Sequence, residues 1–190
     1  HDALWPYNAA IAAQVFLWLN MPDIARKYFI GFLNHACPLY TWREEQSLQS
    51  AEVFNYIGDM PHNWASAECI RYLRHMMVLE DIQTLHLFRG IGMPELRAGQ
   101  PITLKYTPTR WGRVTVSLEP LDVNRWLTRF KREDFDEQTM PKIDYVMMPR
   151  KLANKFYFSE IKGAKAFKEG QRAFVRATET EWECIWKSRD

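Results

Sequence analysis

The chain has 190 residues, 47% hydrophobic and 25% charged, enough to bury a real core and ordinary for a globular rather than a disordered protein. Lys and Arg number 25 against 23 Asp and Glu, a formal net charge of +2. The basic residues are not clustered, so charge argues for neither nucleic acid nor an anionic membrane as a partner.

The composition departs from average in its aromatics, 14% of residues with 8 Trp. Aromatic rings bury large areas in a core, and they also stack on sugar rings; both readings stand at this level.

In chain order, the apolar run Ala9 to Leu19 comes first. It is too short to span a bilayer. It has no basic segment before it and no cleavage site behind it, so it is not a secretory signal. Its spacing predicts a helix with Ile11, Val15, Trp18 and Leu19 on the core side. Asn20-Met21-Pro22-Asp23 breaks that helix and starts a second, whose stripe is Ile24, Ala25, Tyr28, Phe29, Phe32, Leu33 and Ala36. So short a connection predicts an antiparallel helical hairpin. A third helix is expected from Trp64 to Val78, with Ser66, Ile70, Leu73 and Met77 on one face. Between Pro38 and Asn63 the middle, Glu44 to Tyr56, has helical propensity while the ends read as loop, and this stretch stays unassigned.

The pattern changes near Glu80, giving expected domains 1–80 and 81–190. Strands are predicted over 101–106, 113–118, 126–132, 143–148, 155–161, 171–177 and 182–186. Val114, Val116 and Leu118 share one face, as do Trp182, Cys184 and Trp186. Trp111, Trp126, Trp182 and Trp186 read either as core or as a carbohydrate-binding face. Asp134 to Gln138 reads as a solvated loop. Strands at this spacing without helices between them predict an antiparallel β-sandwich, and the fold class is α+β.

Cys37, Cys69 and Cys184 form an odd, widely spaced set without C-x-x-C, which suggests neither a zinc ribbon nor a redox pair. His35, His62, His75 and His86 lack metal-ligand spacing with one another or with Cys. No glycine-rich phosphate loop and no G-x-S-x-G is present. No metal and no cofactor is expected. The start at His1, without an initiator Met, suggests a fragment or a processed product.

Two segments concentrate groups capable of chemistry: Pro38 to Gln46 after helix two, and Gly58 to Glu68 leading into helix three. Each crowds aromatic and carboxylate groups at a helix end, where a rigid scaffold can hold them.

The order Thr41-Trp42-x-Glu44, then Gly58-Asp59-x-x-His62-x-Trp64-Ala65-x-Ala67-Glu68, resembles the final hairpins of six-hairpin glycoside hydrolases. Asp81-x-x-Thr84-Leu85-His86-Leu87-Phe88 is similar to the strand after that barrel, and Pro108 to Val114 to the hairpin beyond it. In layout the chain looks most like inverting α-L-rhamnosidase-like bacterial enzymes, over roughly residues 1–118. The resemblance implies the last helices of an (α/α)6 toroid followed by a β-sandwich.

It also implies a carbohydrate substrate, the rest of the barrel as partner, and a periplasmic or extracellular location. Two carboxylates are needed in such an enzyme, one as acid and one as base. Glu44 matches the family's base at two residues after the Trp, and Glu45 stands as the alternative because some relatives carry Glu-Gln as Glu45-Gln46 does here. The acid comes from an earlier hairpin, outside this chain, so the isolated chain is expected to be inactive. Trp5, Trp42, His62 and Trp64 are the implied substrate-binding residues, with Tyr7 and Asp2 nearby and His62 donating to a sugar hydroxyl.

For Trp42 and Trp64 core packing is the competing reading, for His62 helix capping, and for Glu68 a structural polar role. The rival function is a non-catalytic carbohydrate-binding or scaffolding module. A phosphorylase or a lyase on the same barrel is a third, the lyase leaning on Tyr40 and His62.

Overall fold

The structure, a computed structural model, describes residues 3–47, 58–82, 84–133, 144–147, 156–169, 172–177 and 179–189. The expected loop 134–138, Asp2 and residues 48–57 of the unassigned stretch fall outside these residues. The chain is mixed α+β and divides into two compact units, residues 1–75 and 76–190.

The first unit is helical. Helix α1 (Pro6–Trp18) begins with Pro in its first turn, where the missing N–H is not needed. Alanine-rich sequence then favours continuation. Its end is a Schellman motif: Asn20 takes φ +58°, Met21 N donates to Phe16 O at 2.8 Å and Asn20 N to Leu17 O at 3.0 Å. Helix α2 (Pro22–Asn34) restarts at once, with Asp23 in its first turn at the positive end of the helix dipole. Helix α3 is Asn63–Met77. Two short strands, β1 (Ala3–Leu4) and β2 (Gln46–Ser47), pair antiparallel and tie the chain ahead of α1 to the segment after α2.

The three expected helices are present; the expected core face of α1 is exposed, while those expected for α2 and α3 are buried in part, at Ala25, Phe29, Phe32 and Met77. In α1 the buried residues are Ala10, Ala13, Gln14 and Leu17, while Ile11, Val15, Trp18 and Leu19 are exposed. In α2, Ala25, Phe29 and Phe32 are buried and Tyr28 and Leu33 are exposed. In α3, Ala65 and Tyr72 are buried and Ile70 and Leu73 are exposed. Small residues let the backbones approach, and Phe29 stacks on Tyr72 with ring centres 3.9 Å apart. The large aliphatics form a second apolar face that this unit leaves open.

The second unit holds β3 (Val78–Glu80), β4 (Thr84–Leu87), a short helix α4 (Met93–Arg97), β5 (Ile102–Thr109), β6 (Gly112–Asp122) and β7 (Arg125–Arg132). It continues with β8 (Asp144–Met147), β9 (Phe156–Lys162), β10 (Ala164–Glu169), β11 (Arg172–Ala177) and β12 (Glu181–Ser188). The strands form two five-stranded sheets, ordered β10-β11-β8-β4-β3 and β5-β6-β7-β12-β9. Strands β3 and β10 and helix α4 had no counterpart among the expected elements. The expected purely antiparallel order fails at one pair, β4 with β8, which run parallel. Strands joined by tight hairpins must be antiparallel, whereas β4 and β8 are far apart in sequence and their direction is free.

Alternation along the strands predicts this core well. Val114, Val116 and Leu118 are buried, as are Trp182, Cys184 and Trp186. Residues of both sheets, among them Leu85, Leu87, Val175, Trp126 and Phe130, join in one hydrophobic cluster. Trp111, Trp126, Trp182 and Trp186 all belong to it, so they offer no sugar-stacking face. Burial pushes the Cys184 thiol up to about 12. All three cysteines are free.

Candidate functional site

The two segments singled out in the helical unit come together by main-chain hydrogen bonds. His62 N donates to Trp42 O at 2.8 Å and Glu44 N to Asp59 O at 3.1 Å. These two bonds lay the loop after α2 along the loop before α3. Their effect is to bring Glu44 beside Asp59 and His62, with one polar atom of each lying within 4.8 Å of the others.

Gly58 makes this approach possible. Its φ of +102° lies in the region that favours glycine, and a Cβ at this position would fall on the Glu44 carboxylate. The side chain of Glu44 therefore rests directly on the Gly58 backbone.

The neighbouring glutamate is placed differently. Glu45 is 3% exposed, and Trp5 Nε1 donates to its Oε1 at 2.5 Å. The β1–β2 pairing brings this about, because Leu4 lies opposite Gln46 and so sets Trp5 next to Glu45. Gln46 in turn holds the end of α2, its Oε1 accepting from His35 Nδ1 at 2.7 Å and its Nε2 donating to His35 O at 3.0 Å.

His62 is 6% exposed, and its Nδ1 lies 2.7 Å from Asp59 Oδ1. That hydrogen bond holds the Asp59 carboxyl below the usual carboxylate range. The other ring nitrogen, Nε2, is buried and has no partner among the described residues. Tyr7 lies over the His62 ring at 5.3 Å and meets the edge of Trp64 at 5.9 Å, while Trp5 stacks on Tyr7 at 5.9 Å. Trp5 is 41% and Trp64 66% exposed, so the aromatic group opens to solvent.

Of the sequence-predicted residues, Glu44, Glu45, Trp5, His62 and Trp64 thus gather in one region. Trp42 does not share their exposure. It is 4% exposed, its ring stacks on Phe32 at 4.2 Å and its Nε1 donates to Phe32 O at 2.9 Å, which places it in the core under the loop. Glu68 accepts from Gln14 Nε2 at 2.5 Å and pairs with Arg71 at 2.9 Å, a polar tie between α1 and α3. Tyr40 sits on an exposed turn with φ +54°, closed by Cys37 N donating to Thr41 O at 2.7 Å.

Asp59 stands in the motif before α3 but not among the expected site residues; its pairing with His62 is what the structure adds. A search for His and Cys spacing misses it, yet Asp59-x-x-His62 at a helix start is a readable signal. Glu44, Asp59 and His62 are also the residue types that bind a divalent cation. Asp59 and His62 already satisfy each other, however, and three ligands fall one short of a closed structural site.

The second unit carries a smaller polar group: buried His86 lies 3.4 Å from Asp81 and 3.3 Å from Arg89. On the exposed side of its second sheet, Arg129 pairs with Glu119 at 2.6 Å and Lys131 with Glu181 at 3.0 Å. Such cross-strand charge pairs are what a solvated sheet face needs. Among the described residues no helix is long and apolar enough to cross a membrane.

The chain matches no protein-family model, and a search of curated proteins finds no match.

Proposed function

We propose that this chain is the C-terminal part of an inverting glycoside hydrolase and supplies the general base, Glu44, and part of the sugar pocket. In this reading α1, α2 and α3 are the last helices of an (α/α)6 toroid, and the two sheets are its C-terminal β-sandwich. The substrate is a glycoside.

The observation that carries the reading is the grouping of Glu44 with Asp59 and His62 beside the open aromatic group Trp5, Tyr7 and Trp64. A base for water needs a carboxylate that water can reach, held still by its surroundings. Glu44 is half-buried and rests on Gly58, whereas Glu45 is buried and occupied by the Trp5 indole. The exposed faces of the indoles suit the apolar faces of a pyranose ring.

The barrel part of the reading draws on α1. A helix apolar on both faces belongs in an interior, and Ile11, Val15 and Trp18 lie on the face that this unit leaves open. Further barrel helices are the partner that fits. The general acid is then supplied from that part, and the isolated chain does not hydrolyse glycosides.

The test is Glu44→Gln in the full-length enzyme, with the rate of glycoside hydrolysis as readout. Loss of a general base is expected to slow turnover on the order of 10²–10⁴-fold. Turnover near wild type overturns the assignment, and Glu45→Gln run in parallel identifies which glutamate is the base.

A further inference from the structure

His62 and Asp59 form a pair whose two ends are unlike. At one end, the imidazole Nδ1 faces the Asp59 carboxylate at 2.7 Å. At the other, Nε2 is buried and without a partner among the described residues, in a side chain only 6% exposed. A buried polar atom left unsatisfied is rare and calls for a physical account.

The account follows from the chemistry of the ring. A carboxylate accepts hydrogen bonds and cannot donate them, so the nitrogen facing it must carry the proton. In a neutral imidazole the proton is then spent on Nδ1, and Nε2 is left with a bare lone pair. Asp59 is suited to this task because its carboxyl stays ionised below the usual range, the hydrogen bond from His62 being the largest cause.

We infer that Asp59 is a positioning residue that locks His62 in the Nδ1–H form, so that Nε2 accepts a hydrogen bond from a hydroxyl of the bound sugar. The inference rests on the glycosidase reading for the identity of the ligand, and on the dyad geometry alone for the state of the ring. It reverses the role expected from the sequence, in which His62 donates. The surroundings suit an acceptor. Tyr7 at 5.3 Å and Trp64 at 5.8 Å flank the imidazole as tilted rings. A sugar hydroxyl stacked in this group supplies the missing donor. Glu44, the charged neighbour on the facing loop, is itself an acceptor. A hydroxyl therefore meets a ring nitrogen and a carboxylate that both ask for protons, which favours a ligand with adjacent hydroxyls over one with ether or carbonyl oxygens.

Long-range proton–nitrogen NMR of the ¹⁵N-labelled 190-residue chain tests the ring state directly. The expected spectrum has His62 neutral, with a protonated Nδ1 and a bare Nε2, and Asp59→Asn loses that preference while the backbone spectrum stays folded. A wild-type ring protonated on Nε2, or one whose form is unchanged in Asp59→Asn, overturns the dyad. Should Asp59→Asn fail to fold, the wild-type spectrum still decides the tautomer. The second arm titrates L-rhamnose, D-glucose and D-galactose separately into the full-length protein, in which the proposed pocket is whole. An upfield move of the Nε2 resonance with at least one of them supports the acceptor role. A confirmed tautomer whose Nε2 no sugar moves overturns the sugar as ligand while leaving the dyad standing, so the two failures are told apart. Asp59→Glu, which keeps the carboxylate, is expected to restore part of the Nδ1–H form.

Discussion

The strand-rich unit and the helical unit solve the same problem to different degrees. In the strand-rich unit the aromatic side chains Trp111, Trp126, Phe130, Trp182 and Trp186 are buried together, and the charges lie on the opposite side of the sheet in cross-strand pairs. In the helical unit large aliphatic residues are exposed on all three helices, while the core is built from alanines, Leu17 and a few aromatics. The strand-rich unit gathers its aromatics in one buried cluster. The helical unit has an inner face and an open apolar face, and its polar groups are concentrated where two loops meet. In the proposed glycosidase reading, the open apolar face of the helical unit receives the remaining barrel helices.

Three substitutions sharpen or break that contrast. The largest expected effect is Trp186→Ala in the strand-rich unit. The side chain is buried against Phe88, so truncation should cost about 3–5 kcal/mol, read as a lower denaturation midpoint in urea. A loss below 1 kcal/mol would mean that the cluster is not a packed core.

Next is Gly58→Ala, at the junction of the two loops. Its left-handed backbone and the Glu44 carboxylate both oppose a side chain, and a penalty of about 1–3 kcal/mol is expected. On the proposed glycosidase reading, this variant of the full-length protein should also lose hydrolysis beyond what its stability explains, because Glu44 is displaced. Wild-type activity in a folded Gly58→Ala protein would separate Glu44 from the chemistry.

The smallest effect is expected for Val15→Lys on the open face. In the 190-residue chain it should change stability by no more than about 0.5 kcal/mol, and it should raise solubility. A cost of several kcal/mol in the same chain would show that the face is already covered. On the proposed barrel reading, by contrast, the same charge in the full-length protein would be buried against neighbouring helices and should destabilise.

The two regions also differed in how readily they could be read from the sequence. Alternation has a period of two, so once Val114 is inward Val116 and Leu118 must follow, and all three are buried. Helix α1 offers apolar residues on both sides, and periodicity then finds a stripe without saying which neighbour it faces. The stripe of Ile11, Val15 and Trp18 was legible; its exposure was not. Strand β3 escaped because it follows α3 without a turn signal, and β10 because the expected strand before it ends just short of the Gly163 turn. Among the candidate site residues, Glu44, Glu45, Trp5, His62 and Trp64 were each visible as chemistry-bearing types at loop ends. Asp59 was visible in the motif before α3, but its hydrogen bond to His62 was not, because the spacing alone does not fix the direction of either side chain.

From the amino-acid sequence alone come the mixed α+β class, the three helices, most of the strands and the core of the strand-rich unit. These follow from local spacing and turn chemistry, which act within a few residues. Only the folded chain separates Glu44 from Glu45, sends Trp42 to the core, and leaves one nitrogen of His62 buried without a partner among the described residues. Each of these depends on hydrogen bonds between segments far apart in sequence, Trp5 to Glu45 and Trp42 to His62 among them, and no periodicity carries that information.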